Sequence, residues 1–246
     1  MTPTENSAPD DGMALLEHLD ELRRRLFRTV LAFVVALAAC VAFGSDILAF
    51  LLEPVRAVLP EGERLSYIRL SEPFLVQLKA AALAALFVSA PFVLYQIWAF
   101  VSPGLYRHER RWIVPFLVLG TAFFATGGYF GYRVVGPTAA QWLVGVGSEY
   151  ENVVTIQEAF GFMSRITLGL GLVFELPILI FFLARIGVVT PGFLLKHFRV
   201  VVILVAFVAA VITPPDPASM ILFAVPMLAL YLLGVLIAWV FAKRPE

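Results

Sequence analysis

Two acidic residues in this chain stand among arginines, and a third stands among no charges at all. Glu21 lies in Glu21-Leu22-Arg23-Arg24-Arg25, and Glu109 in Tyr106-Arg107-His108-Glu109-Arg110-Arg111. Arginine presents a planar fork of donors that a carboxylate can accept in pairs, whereas lysine offers only a point charge. Two carboxylates on one side of a membrane would therefore suit an incoming pair of guanidinium groups. Plainer roles stand beside that one. Glu21 is spaced to pair with Arg25 one helical turn on, worth about 0.3–0.5 kcal/mol, and Glu109 can simply relieve repulsion among its neighbours. Arg23 borders the apolar stripe of its segment, which suits packing or orienting better than accepting a cationic ligand.

The third acid, Glu175, interrupts an otherwise uncharged stretch, residues 166–184. A carboxyl inside an apolar membrane helix costs on the order of 2.5–3.5 kcal/mol on insertion scales, so it must face protein or water and not lipid. It is either a protonated, hydrogen-bonded group locking two helices, or a polar point in a cavity used for docking or for disturbing the bilayer. Pro177, two residues later, is expected to kink this helix and widen the space around the acid.

Searches for catalysis return nothing. There is no H-E-x-x-H, no G-x-S-x-G and no P-loop. Three histidines and one cysteine, widely scattered, give no metal-ligand spacing. No enzyme, no metal and no cofactor is expected. Gly169-Leu170-Gly171 and the G-x-x-x-G pair Gly127 and Gly131 read as close helix–helix contacts.

The elements that must position these residues follow from composition. Of 246 residues 61% are apolar and only 15% are charged, with a mean hydropathy of +0.90. A soluble domain is roughly 45–50% apolar and about 25% charged, so the chain reads as an all-α integral membrane protein. Its 18 basic and 18 acidic residues balance, which gives no reason to expect nucleic acid as a partner. Residues 1–13 read as a flexible polar tail and 14–243 as a single membrane domain. Leu15, Leu19, Leu22 and Leu26 recur at helical spacing, predicting an amphipathic interfacial helix that leads directly into a span.

Six spans are expected, over approximately 27–45, 76–104, 112–133, 160–184, 199–213 and 218–241. The fifth is weak, since 200–212 offers only thirteen apolar residues, about 20 Å of helix. Charge placement favours a short true crossing over a re-entrant loop. With an even number of spans, twelve of the eighteen basic residues fall on the side of the termini, placing both termini in the cytoplasm. Residues 46–73 are then an external loop, and Trp98, Trp112, Trp142 and Trp239 suit interfacial belts. Leu37-Ala38-Ala39-Cys40 is spelled like a lipoprotein cleavage box, but cleavage would leave five spans and strand the interfacial helix.

Several stretches in order carry a family resemblance: His18-Leu19-Asp20-Glu21-Leu22-Arg23-Arg24-Arg25-Leu26, Ser89-Ala90-Pro91, Tyr95-Gln96-Ile97-Trp98-Ala99-Phe100, Leu105-Tyr106-Arg107-His108-Glu109-Arg110-Arg111, Phe174-Glu175-Leu176-Pro177 and Thr213-Pro214-Pro215-Asp216. Together they resemble TatC, the core receptor of the twin-arginine protein translocase. The resemblance implies a concave, glove-like bundle of six helices with short fifth and sixth spans, in the bacterial cytoplasmic membrane. It implies a receptor for folded precursors with Arg-Arg signal peptides, bound at Glu21, Arg23, Phe100 and Glu109, with Glu175 as the polar point within the bundle. It marks Pro54 and Asp216 as further functional positions, and Arg107 as standing where lysine is common. Implied partners are the single-span subunits TatA and TatB, in a hetero-oligomer of several copies set in membrane lipid. The energy source implied is the proton gradient. A proton-coupled carrier titrating Glu175 is the rival from another class, although no internal duplication supports it.

Overall fold

The structure is a computed structural model describing residues 11–60, 62–101, 113–149 and 153–241. Among them the chain is helical and forms no strand, with one isolated bridge between Ser66 and Thr155. Helix α1 (Asp11–Val41) is continuous from the charged segment into the apolar one. The expected interfacial helix and first span are thus one rod about 46 Å long at 1.5 Å per residue. Its apolar end packs on α3 (Glu72–Val101) through Cys40, against Ala81 and Ala85, two alanines with no exposed surface. Small residues there let the two helices approach closely.

The expected external loop is in part a helix. The chain turns by 86° after α1 into α2 (Gly44–Arg56), which buries Leu48, Leu51, Leu52 and Val55. That pattern is a helical stripe, and Asp46 in the first turn with Arg56 in the last suits the helix dipole.

The third span runs further than composition suggests. Helix α4 (Ile113–Phe130) passes through a π turn at residues 131–135 into α5 (Gly136–Val146), so helix extends well beyond residue 133. Arg133 ends the uncharged stretch but not the helix. The fourth span is α6 (Ile156–Val173) followed by α7 (Leu176–Arg185), with the break at Phe174 and Glu175, just before Pro177. Its start is fixed by a capping box between Thr155 and Glu158. Its end is fixed by Gly187, whose φ of +82° closes the helix as the Val188 N–H donates to the Leu183 carbonyl. This is the most enclosed span, 61% buried against 28–33% for the other continuous ones, with α2, α3, α4, α5, α9 and α10 packed on it.

The short α8 (Pro191–Lys196) leads to α9 (Phe198–Ile212) and α10 (Pro217–Phe241). Helix α9 is 15 residues long, as the thirteen-residue apolar run suggested. Helix α10 is not short: its 25 residues contain no charge to stop it, correcting the expectation of a short sixth span. By length and composition four helices can cross a bilayer, and the bent α1–α2 pair makes a fifth.

The G-x-x-x-G pair does what its spacing suggests. A Cβ at Gly127 would stand 2.6 Å from the Leu170 carbonyl oxygen, and one at Gly131 would stand 2.9 Å from that of Ile166. The two helices run antiparallel along this seam, and Gly171 on α6 returns the contact by admitting Phe124 of α4, whose ring carbon would lie 3.1 Å from a Cβ there. Any side chain at these positions would force α4 off α6.

Candidate functional site

The α1–α3 junction brings together residues from two of the sequence stretches. Arg25 donates from Nε to Glu21 Oε1 at 2.9 Å and from Nη2 to the same oxygen at 2.5 Å, so the expected i,i+4 pair is present. It is more than a surface pair. Arg25 Nη1 also donates to Oε1 of Gln96 on α3 at 3.3 Å, and Gln96 is buried. Two turns back on α1 and one turn on along α3, the His18 ring stacks on that of Phe100, centroids 4.5 Å apart. Two cross-helix contacts therefore fix the charged end of α1 against the end of α3.

This geometry leaves Glu21 half used. Both Arg25 donors converge on Oε1, and no bond to Oε2 is formed among the described residues. The Arg25 hydrogen bond, with the nearby charges of His18 and Arg24, holds the carboxyl below its ordinary range, so it stays ionised. An ionised oxygen with free lone pairs, beside an aromatic face and a half-exposed arginine, can accept one further cationic donor.

Arg23 lies elsewhere. It points to solvent in a groove with Asp20, Arg24, Phe27 and Arg28, on the side of α1 away from Gln96. Arg107 and Glu109 lie outside the described residues. Phe100 and Glu21 are thus brought together, and Arg23 is not.

Glu175 sits at the break between α6 and α7, facing α4 at the far end of the glycine seam. A Cβ at Gly120 would be 3.2 Å from Glu175 Oε2, so this glycine makes the room the carboxyl occupies. Among the described residues its Oε1 is buried with no hydrogen-bond partner. Trp98, expected in an interfacial belt, is buried instead, its ring centroid 3.8 Å from that of Phe182.

Pro54 acts through a missing donor. Proline has no N–H, so the carbonyl of Phe50, four residues back in α2, loses its helical partner. The Tyr132 hydroxyl from the π turn takes that place, donating to Phe50 O at 2.7 Å, with Glu53 Oε2 3.1 Å away. The Tyr132 ring also stacks on that of Phe50, at 4.5 Å. Neither Gln96, Gly120 nor Tyr132 was singled out in the sequence. The available signals were a polar amide in an apolar run, a glycine opposite an acid, and a tyrosine with a proline-freed carbonyl elsewhere. Asp216 caps α10, its Oδ1 accepting from the Ser219 N–H at 2.7 Å, while Oδ2 is buried and has no partner among the described residues.

Residues 17–226 match the family model described as Sec-independent protein translocase protein (TatC). The chain belongs to the TatC family. It is 40% identical over 232 residues to TatC of Koribacter versatilis (strain Ellin345), covering 93% of this chain and 86% of the relative. TatC of Campylobacter jejuni is 39% identical, with 91% and 92% covered, and that of Escherichia coli (strain K12) 36%, with 92% and 88% covered. A crystal structure of the twin-arginine translocase receptor TatC superposes with a TM-score of 0.82 at 28% identity, over 91% of this chain and 98% of that one. As a TatC-family protein the chain is a membrane component of Sec-independent protein translocation, and the all-α polytopic fold expected from composition is the fold it has.

Proposed function

We propose that this chain is the receptor and core subunit of a twin-arginine translocase, and that the α1–α3 junction holds the arginines of the signal peptide. The observation that carries the reading is the half-used carboxylate of Glu21, ionised and clamped through one oxygen while the other is free. One signal arginine bonds Oε2 and lies against the His18–Phe100 pair. Glu109 takes the second arginine, and Arg107 and Arg23 orient the flanking segments. The bond type favours arginine over lysine, because a guanidinium can bridge Glu21 Oε2 and a neighbouring acceptor at once.

The apolar part of the signal then enters the helix bundle, where Glu175 offers a polar contact at the α6–α7 break. The six segments cross the bacterial inner membrane with both termini in the cytoplasm, α9 as a short crossing in a locally thinned bilayer. Single-span subunits of the TatA and TatB type assemble around it in a multi-copy complex, and the proton gradient drives transport. The role is binding and assembly, not catalysis.

The test is binding of an Arg-Arg signal peptide to the purified full chain, compared with its Lys-Lys version. We expect the Lys-Lys peptide to bind at least tenfold more weakly, and Glu21→Gln to erase most of that difference. Equal binding of the two peptides would remove the receptor reading.

A further inference from the structure

The outward side of α1 carries an exposed face that the signal-peptide reading does not place against the peptide, although Arg24 and Arg28 also border the groove that holds Glu21 and Arg25. Along one face, at three- and four-residue steps, lie Asp20, Arg24, Phe27, Arg28, Leu31, Val34 and Val35. Arg24 and Arg28 are exposed, as are Phe27 (69%), Leu31 (52%) and Val35 (63%). The opposite side of the same helix is occupied by α3 through Phe33, Leu37 and Cys40.

Two guanidinium groups one turn apart on an exposed face repel each other, and among the described residues neither has a salt-bridge partner. The single described ion pair is Glu21–Arg25, which faces α3. The open groove here is lined by Asp20, Arg23, Arg24, Phe27 and Arg28, so its one carboxylate leaves a net charge of +2 from three arginines. Arg24 Nε donates to the Asp20 backbone carbonyl at 3.3 Å, which steadies the side chain without neutralising it. Immediately beyond Arg28 the face becomes wholly aliphatic. A basic patch that gives way within one turn to an apolar track matches a molecule with an anionic head and a hydrocarbon tail, not a soluble anion or an acidic protein segment.

We propose that this face of α1 is a binding site for an anionic phospholipid. Arg24 and Arg28 bracket the phosphate, Phe27 marks the depth of the glycerol backbone, and an acyl chain lies along Leu31, Val34 and Val35. Each arginine beside an anionic headgroup adds attraction, so the two together supply a preference on the order of tenfold over a zwitterionic lipid.

The test titrates lipid onto the purified full chain in neutral detergent and reads retained lipid by native mass spectrometry. The probes are phosphatidylglycerol, phosphatidylcholine with the same acyl chains, and inorganic phosphate. We expect phosphatidylglycerol to be retained on the order of tenfold more tightly than phosphatidylcholine. Arg24→Gln with Arg28→Gln should bring the two lipids close to parity, and Arg24→Lys with Arg28→Lys should restore most of the preference. Thermal stability should stay unchanged in the glutamine variant, which confirms that it is folded. Equal retention of the two lipids by the parent chain, or an undiminished preference in the glutamine variant, overturns the proposal. So does displacement of phosphatidylglycerol by inorganic phosphate at matched concentration, since a headgroup alone would then account for the site.

Discussion

Two glutamates meet opposite ends of α3, Glu72 from its own first turn and Glu21 from α1, and they are used in opposite ways. At one end Glu72 is buried and fully occupied: Oε2 accepts from the backbone N–H groups of Ile68 at 3.0 Å and Arg69 at 3.3 Å, and Oε1 from that of Gln157 at 3.3 Å. At the other end Glu21 lends Arg25 a single oxygen. Both are acids with an arginine within four residues in the sequence. What separates them is how many lone pairs remain. A carboxylate consumed by backbone donors is a structural fastener, and one with a free oxygen at an exposed junction can take a ligand.

Substitution at the occupied end should produce the largest effect. Glu72→Gln replaces a charged acceptor of three backbone donors at the point where the 57–71 segment, α3 and the start of α6 meet. Hydrogen bonds to charged groups are worth about 1.5–3 kcal/mol, and buried donors left without partners add to the loss. We expect thermal unfolding in detergent to show a destabilisation of about 3 kcal/mol, with the folded fraction still preferring Arg-Arg over Lys-Lys peptide. Loss of that preference without loss of stability would erase the distinction between the two ends.

Tyr132 sharpens the same contrast. Tyr132→Phe removes the side-chain donor that the Pro54-freed Phe50 carbonyl receives, and should cost about 1–2 kcal/mol. Pro54→Ala returns an N–H that can bond the same carbonyl within α2. The double variant should therefore lose clearly less stability than the sum of the single ones, a coupling that a double-mutant cycle measures directly. Additive losses would mean that Pro54 matters only through packing.

This pairing shows what was and was not legible in the sequence. Stripes and apolar lengths are local properties, so the continuous α1, the weak fifth segment and the Gly127–Gly131 contact could be read from the chain. Helix α2 was missed because residues 46–73 lie between two spans and were read as a loop, and its Pro54 is tolerated because a neighbouring hydroxyl replaces the absent donor. Trp98 was misplaced because an aromatic residue near a helix end suits a belt or a core equally well, and only the Phe182 contact decides between them. The extension of α4 past Arg133 was missed because charge was used to end the span, and charge does not end a helix. In the candidate site, Glu21 and Phe100 were named, but Gln96, His18 and Gly120 depend on which helices meet, and no single segment records that.

At the free end the expected effects are smaller in energy and appear in binding. Glu21→Gln should weaken Arg-Arg peptide about tenfold, which is about 1.4 kcal/mol, while changing thermal stability by less than 1 kcal/mol, because Arg25 keeps its bond to Gln96 and a pair still reached by water contributes little. A stability loss as large as that of Glu72→Gln would place both ends in the structural class.

The smallest effect concerns Arg25. Its hydrogen bond lowers the Glu21 pKa, so in the parent chain the anion persists below the ordinary glutamate range, and peptide binding is lost only as pH falls through that lowered value. A depressed carboxyl pKa also means that the pair's contribution to stability is present at neutral pH and disappears on acidification through the same window. Arg25→Gln removes both the hydrogen bond and a positive charge that competes with the ligand. Binding at neutral pH should therefore tighten a few-fold, while the pH of half-maximal binding rises toward the ordinary glutamate value. The two changes have opposite consequences for the ligand, and a titration of peptide affinity against pH separates them. Were Arg25 instead a direct contact for the peptide, affinity would fall at every pH and the midpoint would stay where it was.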